Sequence, residues 1–590
     1  MKTGFNLAIL GALLLLTVCW SCVPSAPAVE TAIPSAARSQ RGLIPAAVLG
    51  EILTVGAVDP LEKVFRESTY FPEVKAEADA ARGEYASFQF VLRSSKNIRN
   101  LTAELEPILS GKASLIGAKP KFVGYVKVSR RTPDPSRDRL IPLSGYFPDP
   151  LMEKSAVDVP RDNAQPVWVT VPVPQDAVPG KYQGKITFSG KVEGRAFRVT
   201  KPFTVNVFPA TITGSRLWVT NWFFTDPETL KFINNGQPVE KGSPRYWELV
   251  RVLAKMMKAY RQNVAWVHPL DLVKFSQNGD SWSFDFADFD RMVSLLVEEG
   301  VVGRIEGGHI GGRESTWESQ FVVNVPVPKP EGTVLEKYPI TDPLANSFYS
   351  QFIPALMVHL KDKGWDAIYM QHIADEPIPM NTRSYVEIAS FIKSLAPGLK
   401  IVEACHSKDV DNVINIWVPE LDFFSSDYAF YQERQQAGDE VWFYTCLAPQ
   451  GEFANRFIEL PLLKTRYIHW LNFKYQATGY LHWGLNYWQN AGEGNPYGET
   501  TGIIMESGNI LPGGDSWIMY PDNGRLASSI RLEAMRDGIH DYELLKMLEE
   551  KQPGKAREIC NRLVFEFTNY DLDIRSFRRA RKEILELLSQ

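Results

Sequence analysis

Cysteine is scarce, with five in 590 residues. Cys405, Cys446 and Cys560 stand alone along the body of the chain, without paired or metal-like spacing, so neither a disulfide framework nor a zinc site is expected. A basic block is also missing. The formal charge of -5, from 64 Lys and Arg against 69 Asp and Glu, leaves no footprint for a polyanion and argues against a nucleic-acid partner. No Gly-rich phosphate loop and no Ser nucleophile elbow with partners stands out, which leaves phosphoryl transfer, metal-dependent hydrolysis and serine acyl transfer without support, and no cofactor is implied. The early apolar run "LAILGALLLLTVCW" is too short to be read as a spanning helix.

That run, preceded by Lys2 and followed by "SCVPSAPA", reads as a signal peptide over residues 1–21. Ser21 before Cys22 resembles a loose bacterial lipobox, so Cys22 is the candidate lipidated first residue of the mature chain, with simple cleavage nearby as the alternative. A Pro/Ala/Ser-rich tether follows over 22–45. The expectation is an exported lipoprotein of the bacterial cell envelope, periplasmic or on the outer-membrane surface, touching the membrane through its lipid anchor only.

The length exceeds what one hydrophobic core usually organises, and a multi-domain α/β chain is expected. Over 46–212, short alternating segments such as "ASFQFVLRS", "PVWVTVPVP" and "GKYQGKITFSG", punctuated by Pro, Gly and Asp, predict an antiparallel β-sandwich. From about residue 213 to 527 the rhythm becomes strand, helix, strand. Eight candidate strands (217–224, 263–269, 303–310, 367–377, 400–407, 422–429, 441–446 and 479–488) predict a (β/α)8 TIM-type barrel. Residues 528–590 read as a helical region packed on it.

Active sites of such barrels form at the C-terminal strand ends. Those ends carry Trp222, His268, His309, Asp375, Glu376, His406, Asp427, Tyr428, Tyr444, Trp483, Asn486 and Trp488. In "MQHIADEP", Asp375 and Glu376 stand side by side where the fourth strand ends, and Pro377 removes a ladder donor there. Like charge and desolvation disfavour ionisation of both carboxylates, so one can stay protonated near neutrality, as a general acid must. With the other chemistries unsupported, acid–base glycoside cleavage remains.

The "ADEP" strand end, the aromatic "GYLHWGLNYW" and the helical "SIRLEAMRDGIHDYELLKML" together resemble glycoside hydrolase family 123 and relatives carrying the domain of unknown function 4091, over roughly residues 45–590. The resemblance implies a retaining, exo-acting β-N-acetylgalactosaminidase that works by substrate assistance, with Glu376 as general acid/base and Asp375 orienting the 2-acetamido group. The substrate would be a glycan or glycolipid ending in β-N-acetylgalactosamine. Trp483 and Trp488 are candidate walls for the sugar. His309, Asp427, Tyr428, Tyr444 and Asn486 are candidates to bind its polar groups, and the long segment 311–343 is expected at the pocket rim. Two alternatives stay open: a hexosaminidase acting on N-acetylglucosamine by the same mechanism, and a non-catalytic glycan-binding surface lipoprotein.

Overall fold

The computed structural model describes residues 43–330, 332–410, 412–503 and 508–590. The expected signal peptide, Cys22 and the tether up to residue 42 lie outside these residues.

The N-terminal part builds two sheets. One is fully antiparallel and runs in the order Leu53–Val58, Tyr85–Ser94, Ala164–Pro172, Lys119–Lys127, Tyr146–Met152. The other is centred on the long hairpin of Gly180–Val192 and Arg195–Thr211. Its two-residue turn places Glu193 and Gly194 at φ 49° and 78°, the left-handed geometry that matches strand twist. One edge departs from the expected antiparallel pattern, since Glu77–Arg82 pairs in parallel with Arg195–Thr211. Alternation drives Phe88 and Phe90 of the first sheet and Phe188 and Phe203 of the second into one apolar cluster.

The next part is an eight-stranded parallel sheet that nearly closes on itself. In chain order its strands are β1 (Trp218–Asn221), β2 (Val264–Val267), β3 (Arg304–Gly307), β4 (Tyr369–Gln371), β5 (Lys400–Cys405), β6 (Ile416–Pro419), β7 (Glu440–Tyr444) and β8 (Gly479–His482). Hydrogen bonding runs from β1 through β8, β7, β6, β5, β4 and β3 to β2. At the seam between β1 and β2, Asn263 substitutes for a ladder: its Oδ1 accepts from Val219 N at 2.8 Å. Helices lie between most strands, including α1 (Pro244–Ala259), α2 (Ala287–Glu298), α3 (Pro343–Asp362), α4 (Thr382–Leu395) and α5 (Leu462–Lys474). Ser243 and Asp342 cap α1 and α3, each followed by proline at the first helical position.

The expected sixth strand, 422–429, is a correction. Leu421–Ser426 is helical and Tyr428–Ala437 forms a second helix, while the strand is the apolar run Ile416–Pro419 just before them. Leu421, Phe424 and Tyr431 bury one face at helical spacing, which overrides the β-like aromatic content of "DFFSSDYA". The link 406–415 between β5 and β6 carries no helix among its described residues, so the strand–helix alternation fails at this point.

Helices α6 (Ile530–Lys551) and α7 (Ile574–Ser589) bind the parts together. Arg531 on α6 makes a paired hydrogen bond to Asp149 of the first sheet, at 2.8 Å for each contact. Asp541 accepts from Arg466 on α5 at 2.7 and 3.0 Å and from Arg581 on α7 at 2.9 Å. Gly538 lets α6 approach α5 closely, since a Cβ there would sit 2.7 Å from the Arg466 carbonyl oxygen. Residues Ile44–Gln590 accordingly form one compact unit.

Candidate active site

Beyond β4 the chain leaves regular structure, and Glu376 adopts φ 52°. A non-glycine residue in that region costs roughly 1–3 kcal/mol and persists only where its surroundings hold it. Here they do. Arg313 donates to the carbonyl oxygens of Asp375 at 3.0 Å and Glu376 at 2.7 Å, and Glu376 N donates to Ala404 O at 3.1 Å. The left-handed residue interrupts the alternation that would send adjacent side chains to opposite faces. Both carboxylates therefore serve one site, Asp375 facing the β3 end and Glu376 facing the ends of β5 and β7.

The environments differ. Glu376 Oε1 accepts a hydrogen bond from Tyr444 Oη and lies 3.5 Å from His406 Nε2. Burial would raise its carboxyl, but His406, Tyr444 and Arg313 offset this and hold it below its ordinary value. Asp375 Oδ1 lies 3.7 Å from His309 Nε2. Burial and the Glu376 charge push the Asp375 carboxyl up to about 6. Of the two, Asp375 is the one pushed toward protonation in the free protein and Glu376 the one held ionised.

Beneath the pair is a fully buried ion cluster from β3, β4 and β5. His372 lies 2.7 Å from Glu403 Oε1 through Nδ1 and 2.7 Å from Glu306 Oε1 through Nε2. Burial alone would depress the imidazole, but the two carboxylates raise it to about 10. Glu403 in turn accepts from the backbone N–H groups of Ile373 at 2.8 Å and Ala374 at 3.1 Å and from Tyr385 Oη at 3.1 Å. It therefore grips the residues that lead into the pair. Against the cost of burial, His372 and His309 hold its carboxyl down at about 2. His309, His372 and Glu403 offer potential ligand atoms within 4.8 Å of one another. Both His372 nitrogens face carboxylate acceptors, however, so the ring is a doubly protonated cation with no lone pair for a metal.

An aromatic wall runs from the Asp375 side. Trp222 stands edge-on to His309 with ring centroids 5.3 Å apart and stacks on Trp266 at 4.6 Å. Phe224 meets Trp266 at 6.0 Å and Tyr487 at 4.8 Å, and Tyr487 meets Trp483 at 5.5 Å. Trp483 is half-buried and donates to Asp515 at 3.2 Å.

His309, Tyr444 and Trp483 therefore stand with Asp375 and Glu376 at this end of the sheet. Four other candidates do not join them. Asn486 spends its amide on Phe224, accepting from its N and donating to its O, both at 2.9 Å, and so braces the wall from behind. Trp488 is fully buried and donates to Met519 O at 2.9 Å, a core residue rather than a sugar-facing surface. Asp427 is ion-paired with Lys408 at 2.7 Å. Tyr428 packs among Phe424, Tyr475 and Phe567. The last two were placed at a strand end by the misassigned sixth strand. Arg313, Trp266, Phe224 and Tyr487 escaped sequence reading. Glu306, His372 and Glu403 had a signal: each follows apolar residues within or just beyond a short strand, where burial would otherwise disfavour an ionisable group.

The sequence profile of the glycoside hydrolase 123 catalytic domain matches residues 236–548, and that of the glycoside hydrolase 123 N-terminal domain matches residues 66–190. A comparison with curated proteins gives no match. Among solved structures, a family 123 glycoside hydrolase from Clostridium perfringens, described in terms of glycolipid glycan hydrolysis, superposes with a TM-score of 0.68 at 16% identity, covering 91% of this chain and 97% of that one. β-Glucuronidase 3 from Bacteroides uniformis reaches a TM-score of only 0.28 at 8% identity, over 84% of this chain and 51% of that one, too little to carry an argument. The catalytic-domain match takes in more than half of the sequence, including β2 to β8 and the carboxylate pair, so the chain belongs to glycoside hydrolase family 123 and is a glycoside hydrolase.

Proposed function

We propose that the protein is an exo-acting, retaining β-N-acetylgalactosaminidase that cleaves glycans or glycolipids by substrate assistance. The observation that supports this is the condition of the other carboxylates near the pair. An enzyme nucleophile must be ionised, free, and about 5–5.5 Å from the acid in most retaining glycosidases. Glu403 is ionised but buried and bonded to His372, two backbone N–H groups and Tyr385. Glu420, after β6, lies 3.8 Å from His406, and burial together with the nearby Asp422 and Glu376 charges pushes it up to about 8. It is protonated at neutral pH. A substrate that brings its own nucleophile needs neither.

On this reading the acetamide N–H of the sugar donates to Asp375, which favours ionised Asp375, so that the proton the reactive complex carries sits on Glu376. Glu376 gives that proton to the glycosidic oxygen as the bond to the anomeric carbon breaks. The acetamide oxygen forms the new bond to that carbon, and Asp375 faces the resulting oxazolinium cation with its negative charge. Glu376, now a base, takes a proton from water as the water attacks the anomeric carbon and reopens the ring. Configuration is retained by the two displacements.

The same reading takes the paired N-terminal sheets as an accessory β-sandwich over 46–212, the parallel sheet as a (β/α)8 barrel over 213–527, and 528–590 as its helical seal. It places the enzyme at the cell envelope, anchored through Cys22. No helix among the described residues is long and apolar enough to cross a membrane.

The test is release of aryl alcohol from β-N-acetylgalactosaminide and β-N-acetylglucosaminide by wild type and Glu376→Gln. The galactosaminide should be preferred, and the variant should lose about 10²–10⁴-fold on unactivated oligosaccharides, the usual worth of a positioned acid. Turnover of neither sugar would leave only glycan binding, and preference for the glucosaminide would change the sugar while keeping the mechanism.

A further inference from the structure

The two sides of the carboxylate pair are built differently. On the Asp375 side stand His309, Trp222 and Trp266, all closely packed. On the Glu376 side the rim carries Trp317, 49% exposed, in the loop between β3 and β4. Its chain neighbours Glu314, Ser315, Thr316 and Glu318 are exposed and polar, so along this loop the indole stands between polar groups.

Its position is nevertheless fixed. The Arg313 guanidinium stacks 3.7 Å from the indole centroid, and its Nε donates to the Trp317 carbonyl at 2.7 Å. Asn381 donates to the same carbonyl at 3.3 Å. Arg313 is also the residue that holds the carbonyl oxygens of Asp375 and Glu376. One guanidinium thus sets the indole and the acid in register. The indole lies 6.2 Å, ring to ring, from His406, whose Nε2 is 3.5 Å from Glu376 Oε1.

We propose that Trp317 is the platform of a leaving-group subsite, taking the first sugar of the aglycone, a neutral hexopyranose, with its apolar face on the indole. The inference rests on the reading of Glu376 as the acid, because the group it protonates departs on its side of the pair. A flat aromatic backed by a cation, in a loop of exposed hydroxyl and carboxylate residues, suits a ring with one apolar face and a polar edge.

Two measurements test it. The first compares kcat/KM of wild type, Trp317→Ala and Trp317→Phe on an oligosaccharide ending in β-N-acetylgalactosamine and on the corresponding glycosyl fluoride, whose leaving group is too small to reach the platform. Trp317→Ala should lose roughly tenfold on the oligosaccharide and keep the fluoride rate, with Phe in between. Equal loss on both substrates, or none on the oligosaccharide, would overturn the proposal. The second needs no turnover: saturation-transfer NMR of methyl β-galactoside, with excess N-acetylgalactosamine filling the neighbouring position. Contact with wild type that vanishes in Trp317→Ala supports the subsite, and contact that persists overturns it. Should the galactoside behave as expected while wild type cleaves neither substrate, the subsite stands and the hydrolytic specificity proposed above falls.

Discussion

The imidazole of His406 and the phenol of Tyr444 lie parallel within 2°, with Nε2 2.5 Å from Oη, and both face Glu376. They come from the ends of β5 and β7, and together they supply the hydrogen bonding that favours the ionised acid. Burial and the Glu376 charge raise the Tyr444 hydroxyl well above its ordinary value, so it stays a donor across the working range.

Tyr444→Phe removes a donor that stabilises charged Glu376, so the carboxyl pKa rises and the acid stays protonated to higher pH. The alkaline limb of the kcat/KM profile should move up by roughly one unit, the worth of a hydrogen bond to a charged group. Turnover should fall at the optimum, since the acid is less firmly placed. A pH profile of unchanged shape would show that Tyr444 does not tune the acid.

The buried cluster predicts a second pH dependence, in stability. His372 titrates near 10 when folded, above its ordinary 6.5, so its contribution is complete below about 6.5 and is lost as pH rises toward 10. Glu403 titrates near 2, below its ordinary 4.5, so its contribution is complete above 4.5 and is lost as pH falls toward 2. Both operate between 4.5 and 6.5. Glu403→Gln should destabilise the fold by about 3–5 kcal/mol, because it leaves a buried cation short of a partner. It should also flatten the decline in Tm between pH 6.5 and 9. An unaltered Tm slope in the variant would contradict the assignment of that slope to this ion pair.

How much of this was legible follows from which physical signals are local. The carboxylate pair could be read because two charges closing an apolar strand and stopped by Pro377 have no easy structural explanation. Strands β1 to β5, β7 and β8 showed as apolar runs between helical patterns. Strand β6 did not, because the link before it carries no helix among its described residues and the aromatic run after it, which is helical, looks like a strand. That slip carried Asp427 and Tyr428 to a strand end they do not occupy. Trp488 and Trp483 look alike in sequence, and what separates them is burial and the acceptor of each indole N–H, the Met519 carbonyl for one and the Asp515 carboxylate for the other. The long motif on α6 was distinctive, yet its charges serve assembly: Arg531 meets Asp149, and Asp541 meets Arg466 and Arg581. Arg313 was invisible, since its partners are main-chain carbonyls far along the chain.

Lipidation has its own outcome. If Cys22 carries the anchor, the wild-type protein should sediment with membranes and Cys22→Ala should appear in the soluble fraction with its activity intact. Membrane association that survives the substitution would place the anchor elsewhere.

The central claim is that the 2-acetamido group is the nucleophile and Asp375 its partner. The most direct measurement is inhibition by a stable thiazoline mimic of the cyclised intermediate, read alongside hydrolysis of the matching β-galactoside that lacks the acetamide. Tight competitive inhibition by the thiazoline is expected, because the site favours the cyclised geometry over the ground state. Asp375→Asn should weaken inhibition and turnover together, and the plain galactoside should be almost inert. Comparable hydrolysis of the plain galactoside, or a sugar trapped covalently on an enzyme carboxylate, would contradict it.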